Sequence, residues 1–339
     1  MKYWYWSLIK KYWYWVFIPL AILSYVYGPT LLALLDFDPP VPANQAMVET
    51  ELRKMYGDKL KVFTLSEKEN LPNDLSHENA IVEFIPVKAP ANGTIVGYQM
   101  LTNTNGQLHH FNLWDKKFKH PFCEQSHKIV YQVGVEMTPT WFLEGYGYPI
   151  KKGQELVGEV MWHNHDHKGV NANLKLKIFY VEEDLKPITP VLFDIVDPCI
   201  TGHVYVPINK EATFESGKEI EIVVKEGDEL VVKKQLGKEL EITQDAKVLS
   251  FGGHCHAGCE RIALLVNGEV KDITIPIEGV LHHEAHDMKV IEKINPTVVA
   301  DDFILKKGDK VGISAYYNNV GEFEQYDAMV MYTLILEMQ

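Results

Sequence analysis

Residues 155–181 read ELVGEVMWHNHDHKGVNANLKLKIFYV. Two apolar runs, Glu155–Trp162 and Leu174–Val181, flank a polar connection that carries His163, Asn164, His165, Asp166 and His167. In the second run Leu174, Leu176 and Ile178 alternate with Lys175 and Lys177, so apolar groups line one strand face and charges the other. Similar short alternating or β-branched runs fill the chain from about residue 80 onward: Ile81–Val87, Thr94–Met100, Glu219–Val224, Arg261–Val266, Lys310–Tyr316 and Met329–Leu336. Gly, Pro, Asn and Asp punctuate them, which predicts a mainly β protein of the sandwich type. Only Ala46–Tyr56 has a helical pattern, with Glu49 and Arg53 four residues apart on its polar side. Glu182–Pro190, with Pro187 and Pro190, marks the boundary between two sandwiches, 41–186 and 187–339.

The N-terminal segment, 1–40, has a different composition. Tyr12–Leu35 carries no charged residue and is long enough to cross a bilayer core of roughly 30 Å. Tyr3, Trp4, Tyr5, Trp6 and the aromatics of 12–15 suit a headgroup interface. Lys2, Lys10 and Lys11 precede the run, and Asp36 and Asp38 follow it. The expectation is a single-pass anchor with a cytoplasmic N-terminus and a periplasmic or extracellular main domain. Pro39, Pro40 and Pro42 then form a stiff spacer.

The whole chain of 339 residues carries 33 Lys and Arg against 46 Asp and Glu, a net charge of −13, which argues against nucleic acid as a partner. There is no nucleophile elbow, no HExxH and no Gly-rich phosphate loop, so the usual hydrolase and phosphoryl-transfer signatures are absent. The informative feature is the clustering of the 14 His.

Gly252-Gly253-His254-Cys255-His256-Ala257-Gly258-Cys259 is the strongest cluster. On a strand, His254 and His256 share a face and Cys255 takes the other, so the two imidazoles are placed to share a metal. Imidazole pairs suit copper, zinc, iron or nickel, and a zinc site drawing on Cys259 is the rival arrangement. His109 and His110 are adjacent, and joint ligation by both requires a bulge or a strand end. His163 directly ends an apolar strand and is preferred on that ground to His165. His282 and His286 could meet on a helical turn, although a solvated loop is the commoner fate of such a segment. Met329 and Met331 share a strand face near the C-terminus, where a thioether matters only beside a soft metal.

In chain order these features are a His pair, a His closing a strand, a His-x-His and a Met. Together with their contexts LHHFNLW, VMWHNHDHKGVNANLKLKIFY, SFGGHCHAGCERI and YDAMVMYTLILE, they resemble the copper type II, ascorbate-dependent monooxygenases. That is the family of peptidylglycine α-hydroxylating monooxygenase and dopamine β-hydroxylase, and the resemblance runs from about residue 80 to 339. It implies two antiparallel jelly-roll-like sandwiches, each with one copper. His109, His110 and His163 match the electron-storing copper, and His254, His256 and Met329 match the copper that meets dioxygen and the substrate. The implied activity is hydroxylation of a C–H bond with dioxygen and an external reductant. Two departures stand out: Gly252 replaces the Arg that holds a peptide carboxylate, and Thr333 replaces the matching Tyr. A peptide ending in glycine is therefore not the expected substrate, and the small molecule that is remains open. The alternative is a non-catalytic copper-binding or structural subunit, docked through its aromatic N-terminal helix to other subunits of a membrane complex. Cys123, Cys199, Cys255 and Cys259 permit three pairings, with a disulfide the natural use for Cys255 outside the cytoplasm.

Overall fold

The computed structural model describes residues 39–339 apart from 74, 76–79, 105–106, 121–126, 135, 137, 165–167, 195–204, 208, 227–228, 283–286, 300–302 and 321–325. The Tyr12–Leu35 run lies outside the described residues, and among those described no helix is long and apolar enough to cross a membrane. Residues 40–339 form one compact unit built almost wholly of strands. The one α-helix among the described residues, α1 (Met47–Tyr56), buries Val48 and Leu52 and turns Glu49 and Arg53 outward into an ion pair.

The first eleven strands are β1 (Lys61–Leu71), β2 (Ile81–Lys88), β3 (Gly93–Thr102), β4 (Leu108–Lys119), β5 (His127–Gly134), β6 (Thr140–Trp141), β7 (Tyr146–Ile150), β8 (Glu155–Trp162), β9 (Val170–Val181), β10 (Lys186–Pro187) and β11 (Thr189–Asp194). One sheet has the order β1-β9-β3-β7-β10 and a second the order β2-β8-β4-β5. The alternation in β9 does what the sequence predicts: Leu174, Leu176 and Ile178 enter a core that also takes Phe111, Leu113, Val160 and Trp162 from the second sheet. Those two sheets make a sandwich.

Beyond β11 come β12 (Tyr205–Val206), β13 (Glu211–Glu215), β14 (Glu219–Glu226), β15 (Glu229–Leu236), β16 (Leu240–Glu241), β17 (Ala246–Cys255), β18 (Cys259–Val266), β19 (Glu269–Thr274), β20 (Ile277–His282), β21 (Asp287–Lys293), β22 (Thr297–Val298), β23 (Ile304–Leu305), β24 (Lys310–Asn318), β25 (Tyr326–Asp327) and β26 (Val330–Met338). A sheet of order β11-β26-β17-β22 faces one of order β13-β24-β18-β19. Between them lies a second core, with Phe251, Val330, Tyr332 and Leu334 on one side and Ile262, Leu264, Ile313 and Tyr317 on the other. The chain crosses from the first pair of sheets to the second between β10, which pairs with β7, and β11, which pairs with β26.

The seam between the sandwiches joins the β4–β5 side of the first to the β11-β26-β17 sheet of the second. On β26 the even positions Val330, Tyr332 and Leu334 enter the second core. The odd position Met331 instead meets Ile129 of β5 and Leu192 of β11, with Trp114 and Met329 packed against them. Gln132 of β5 donates from Nε2 to the Met331 carbonyl at 2.6 Å, a hydrogen bond across the same seam. One end of this seam holds the imidazoles.

Candidate metal centre

β17 pairs with β26 so that His254 lies opposite Met331 and Cys255 opposite Val330. Opposed residues share a face, so His254 points to the seam while Cys255, like Val330, enters the second core. His256 is one residue past the strand, but its N–H still donates to the Met329 carbonyl, at 3.1 Å, and keeps the two-residue period. The His254 and His256 rings consequently sit 5.2 Å apart between centroids. The two strands approach so closely here that a Cβ on Gly253 would lie 2.1 Å from the Met331 carbonyl oxygen. Glycine is a requirement at that position.

The His pair meets the condition set for it in the sequence. In the β4–β8 ladder Leu108 faces Trp162 and His110 faces Met161, so the register slips at His109 and a bulge is present. With that extra residue both rings lie on one side, 4.8 Å apart. His163 follows β8, is held by its N–H to the Gln107 carbonyl at 2.9 Å, and brings its ring 5.2 Å from that of His109. His109 is the hub: the rings of His256 and His254 lie 4.8 and 6.0 Å from it.

The tightest set mixes the two halves. One ligand nitrogen each from His109, His254 and His256 lies within 4.8 Å of the others, and the Nε2 atoms of His109 and His256 are 3.0 Å apart. Imidazole nitrogens at about 2.05 Å from a tetrahedral metal lie about 3.3 Å from one another, close to that spacing. The resemblance implies two coppers, with His109 in one ligand set and His254 and His256 in the other, whereas this group of three nitrogens draws on both sets. His109, matched by resemblance to one copper, brings its Nε2 to 3.0 Å from that of His256, matched to the other. The physical reason is the docking of the β4–β5 edge onto β17, which closes the distance between the two sets.

His254 is 1% exposed, and its environment is built for one tautomer. Its Nδ1–H donates to Oε2 of Glu136 at 2.8 Å. Burial opposes the charge on Glu136, but the His254 ring beside it and the backbone N–H of Gly134 hold the carboxyl below the usual carboxylate range. The other ring nitrogen of His254, Nε2, is buried with no hydrogen-bond partner among the described residues. A lone pair in that condition costs free energy unless something accepts it, and a cation does. A Cβ on Gly134 would sit 2.1 Å from His254 Nδ1, so the ring occupies the space that any other residue would fill. Glu136 and Gly134 carry no motif, and sequence reading missed both.

The remaining expected residues are placed as follows. His110 is buried, its Nε2 is 3.7 Å from Oε1 of Glu159, and burial draws it below the ordinary histidine value despite that carboxylate. Met329 is half-buried against Ile129, Leu192 and Met331, and its carbonyl accepts from His256 N–H and, at 2.6 Å, from the Tyr317 hydroxyl. Its backbone thus anchors His256. Cys255 and Cys259 are free thiols in the second core, and the three-residue metal set contains neither. A disulfide at Cys255 is not formed here, and burial pushes its thiol well up from the ordinary value. His282 closes β20, while His283, His286, His165, Cys123 and Cys199 lie outside the described residues.

No family model and no curated protein matches this chain. Among solved structures, a recombinant peptide:N-glycanase F (PNGase F) is 12% identical, with a TM-score of 0.38 over 82% of this chain and 96% of its own. The STIV MCP is 10% identical, with a TM-score of 0.34 over 82% and 97%. The major capsid protein P2 from bacteriophage PM2 is 8% identical, with a TM-score of 0.31 over 81% and 98%.

Proposed function

We propose that the chain is a copper protein that hydroxylates a C–H bond with dioxygen and an external reductant, at a centre formed by His109, His254 and His256. The observation that carries the reading is the convergence of three ligand nitrogens from both halves of the chain to within 4.8 Å. The donor set fits: neutral imidazoles suit both oxidation states of copper, and the buried Nε2 of His254 lacks any other partner among the described residues. Copper held there would supply one-electron redox chemistry and the reduction of dioxygen.

The protein's own part is positioning. Glu136 selects the His254 tautomer that leaves Nε2 free to ligate, and Gly134 gives the ring its space. His256 is half-buried, whereas His109 and His254 are buried, so approach from solvent is on the His256 side. Gly252 offers no side chain to hold a carboxylate, and a Cβ added there would meet Pro296 at a tight 3.0 Å. This supports a substrate other than a peptide ending in glycine. His110 and His163 flank the centre, and the second copper that the resemblance implies would have to draw on them.

The jelly-roll arrangement of the sandwiches and an N-terminal anchor at Tyr12–Leu35, with the main domain outside the cytoplasm, belong to the same proposal. The second reading, a copper-carrying subunit of a membrane complex without turnover, is favoured by the burial of two of the three imidazoles. Metal analysis after reconstitution, with dioxygen uptake in the presence of ascorbate, tests both. Copper bound in wild type, lost in His109→Ala and His254→Ala, and coupled to dioxygen uptake supports the monooxygenase. Bound copper without uptake supports the carrier, and zinc without copper defeats both.

A further inference from the structure

The far end of β4 and β5 from the imidazoles carries a second, unrelated feature. His109 and His110 lie near the start of β4, while Lys117 and Phe118 lie near its end; at about 3.3 Å per residue the two pairs lie on the order of 25 Å apart. There a cavity of about 680 Å³ is lined by Lys117, Phe118, Lys128, Tyr148, Lys151 and Asp184 among others. That volume lies within the range of pockets for small organic ligands.

Its charge is arranged against the trend of the chain. The protein carries a net charge of −13, yet among the described residues three lysines line this cavity against Asp184 alone of the acidic ones. Among the described residues Lys117, Lys128 and Lys151 form no ion pair, although Lys116 next door is paired with Glu155. Lys117 Nζ sits 5.0 Å from the Phe118 ring centroid, and Lys128 Nζ sits 5.7 Å from both the Phe118 and the Tyr148 rings. Phe118 is 43% exposed, so an apolar aromatic surface stays open beside two ammonium groups.

The wall is rigid. Asp115, fully buried, accepts from the Tyr148 hydroxyl at 2.6 Å, from Gln154 Nε2 at 2.7 Å and from the Lys117 backbone N–H at 2.9 Å. Its oxygens are therefore taken up by neutral donors, and its charge reaches Lys128 only through space. Burial draws the Lys128 ammonium below the ordinary lysine value, with Asp115 opposing that shift. A half-desolvated cation without a direct partner gains most from an anion.

We propose that this cavity binds an organic oxyanion carrying an aromatic or apolar ring, its anionic group on Lys117 and Lys128 and its ring against Phe118. Carboxylates and phosphate monoesters share this chemistry. Titration calorimetry of the full chain with phenyl phosphate, benzoate and inorganic phosphate distinguishes them. Saturable binding of one phenyl phosphate or one benzoate per chain is expected, and the tighter of the two names the anion class. Lys128→Met should weaken it at least about tenfold, with Lys128→Arg retaining most of it. Phe118→Ala should erase the preference for phenyl phosphate over inorganic phosphate. Metal content should stay at the wild-type level in Lys128→Met, which separates this site from the imidazole centre. Should Lys128→Met not fold, Lys117→Met with Lys151→Met, both exposed positions, gives the same reading. No saturable binding of any of the three, or equal affinity in wild type and the lysine variants, overturns the proposal.

Discussion

His254 Nδ1 and Glu136 Oε2 lie 2.8 Å apart, both side chains 1% exposed, on segments that belong to different sandwiches. A buried carboxylate is costly unless it is paired, and a buried imidazole needs a partner to choose its tautomer. Each residue solves the other's problem. The hydrogen bond also closes the seam at the point where the three ligand nitrogens converge.

Glu136→Gln keeps the shape and removes the charge. Metal affinity should fall by about 10–100-fold, the range for loss of a partner that orients a ligating imidazole. Competition with a chelator of known affinity measures it. Unchanged affinity would mean that Glu136 serves only the fold.

Gly134→Ala adds a methyl where the His254 ring lies, 2.1 Å from Nδ1. The backbone at this end of β5 is extended, so an alanine is compatible with the strand itself. Metal binding should be lost while thermal unfolding stays cooperative, with a loss of about 1–3 kcal/mol from overpacking. Paired metal analysis and calorimetry check this, and a variant that binds metal normally would show that His254 does not need its present place.

Glu49 ties α1 to β9, accepting from Arg53 on its own helix and from Lys177 Nζ at 3.0 Å. Burial works against its charge, but the two cations outweigh it and the carboxyl is held below the ordinary glutamate value. The unfolded chain, with its glutamate near about 4.3, therefore takes up this proton first as the pH falls. The stabilisation is complete above that value and is lost as the pH drops through the lower folded value. For a partly exposed pair it amounts to about 1 kcal/mol at most. Glu49→Gln should lower the unfolding midpoint at pH 7, by an amount that shrinks as the pH falls below the ordinary glutamate range, and a shift independent of pH would contradict the assignment.

What could be read from the chain alone was local. The period of two sends Leu174, Leu176 and Ile178 into one core, and the same period puts His254 and His256 on one side with Cys255 on the other. Both follow from strand geometry over a few residues, whatever the rest of the chain does. The sequence also stated the condition for His109 and His110 to act together, a bulge, without being able to supply it. Bulge position depends on how β4 pairs with β8, and pairing is a property of two strands. The centre itself was beyond local reasoning. His109 and His256 are 147 residues apart, His254 and Glu136 are 118 apart, and Gly134 matters only because a ring from the other sandwich lands on it. Contacts at such separations are set by the docking of one sheet on another, where the summed burial of both faces, and no single motif, decides which residues meet.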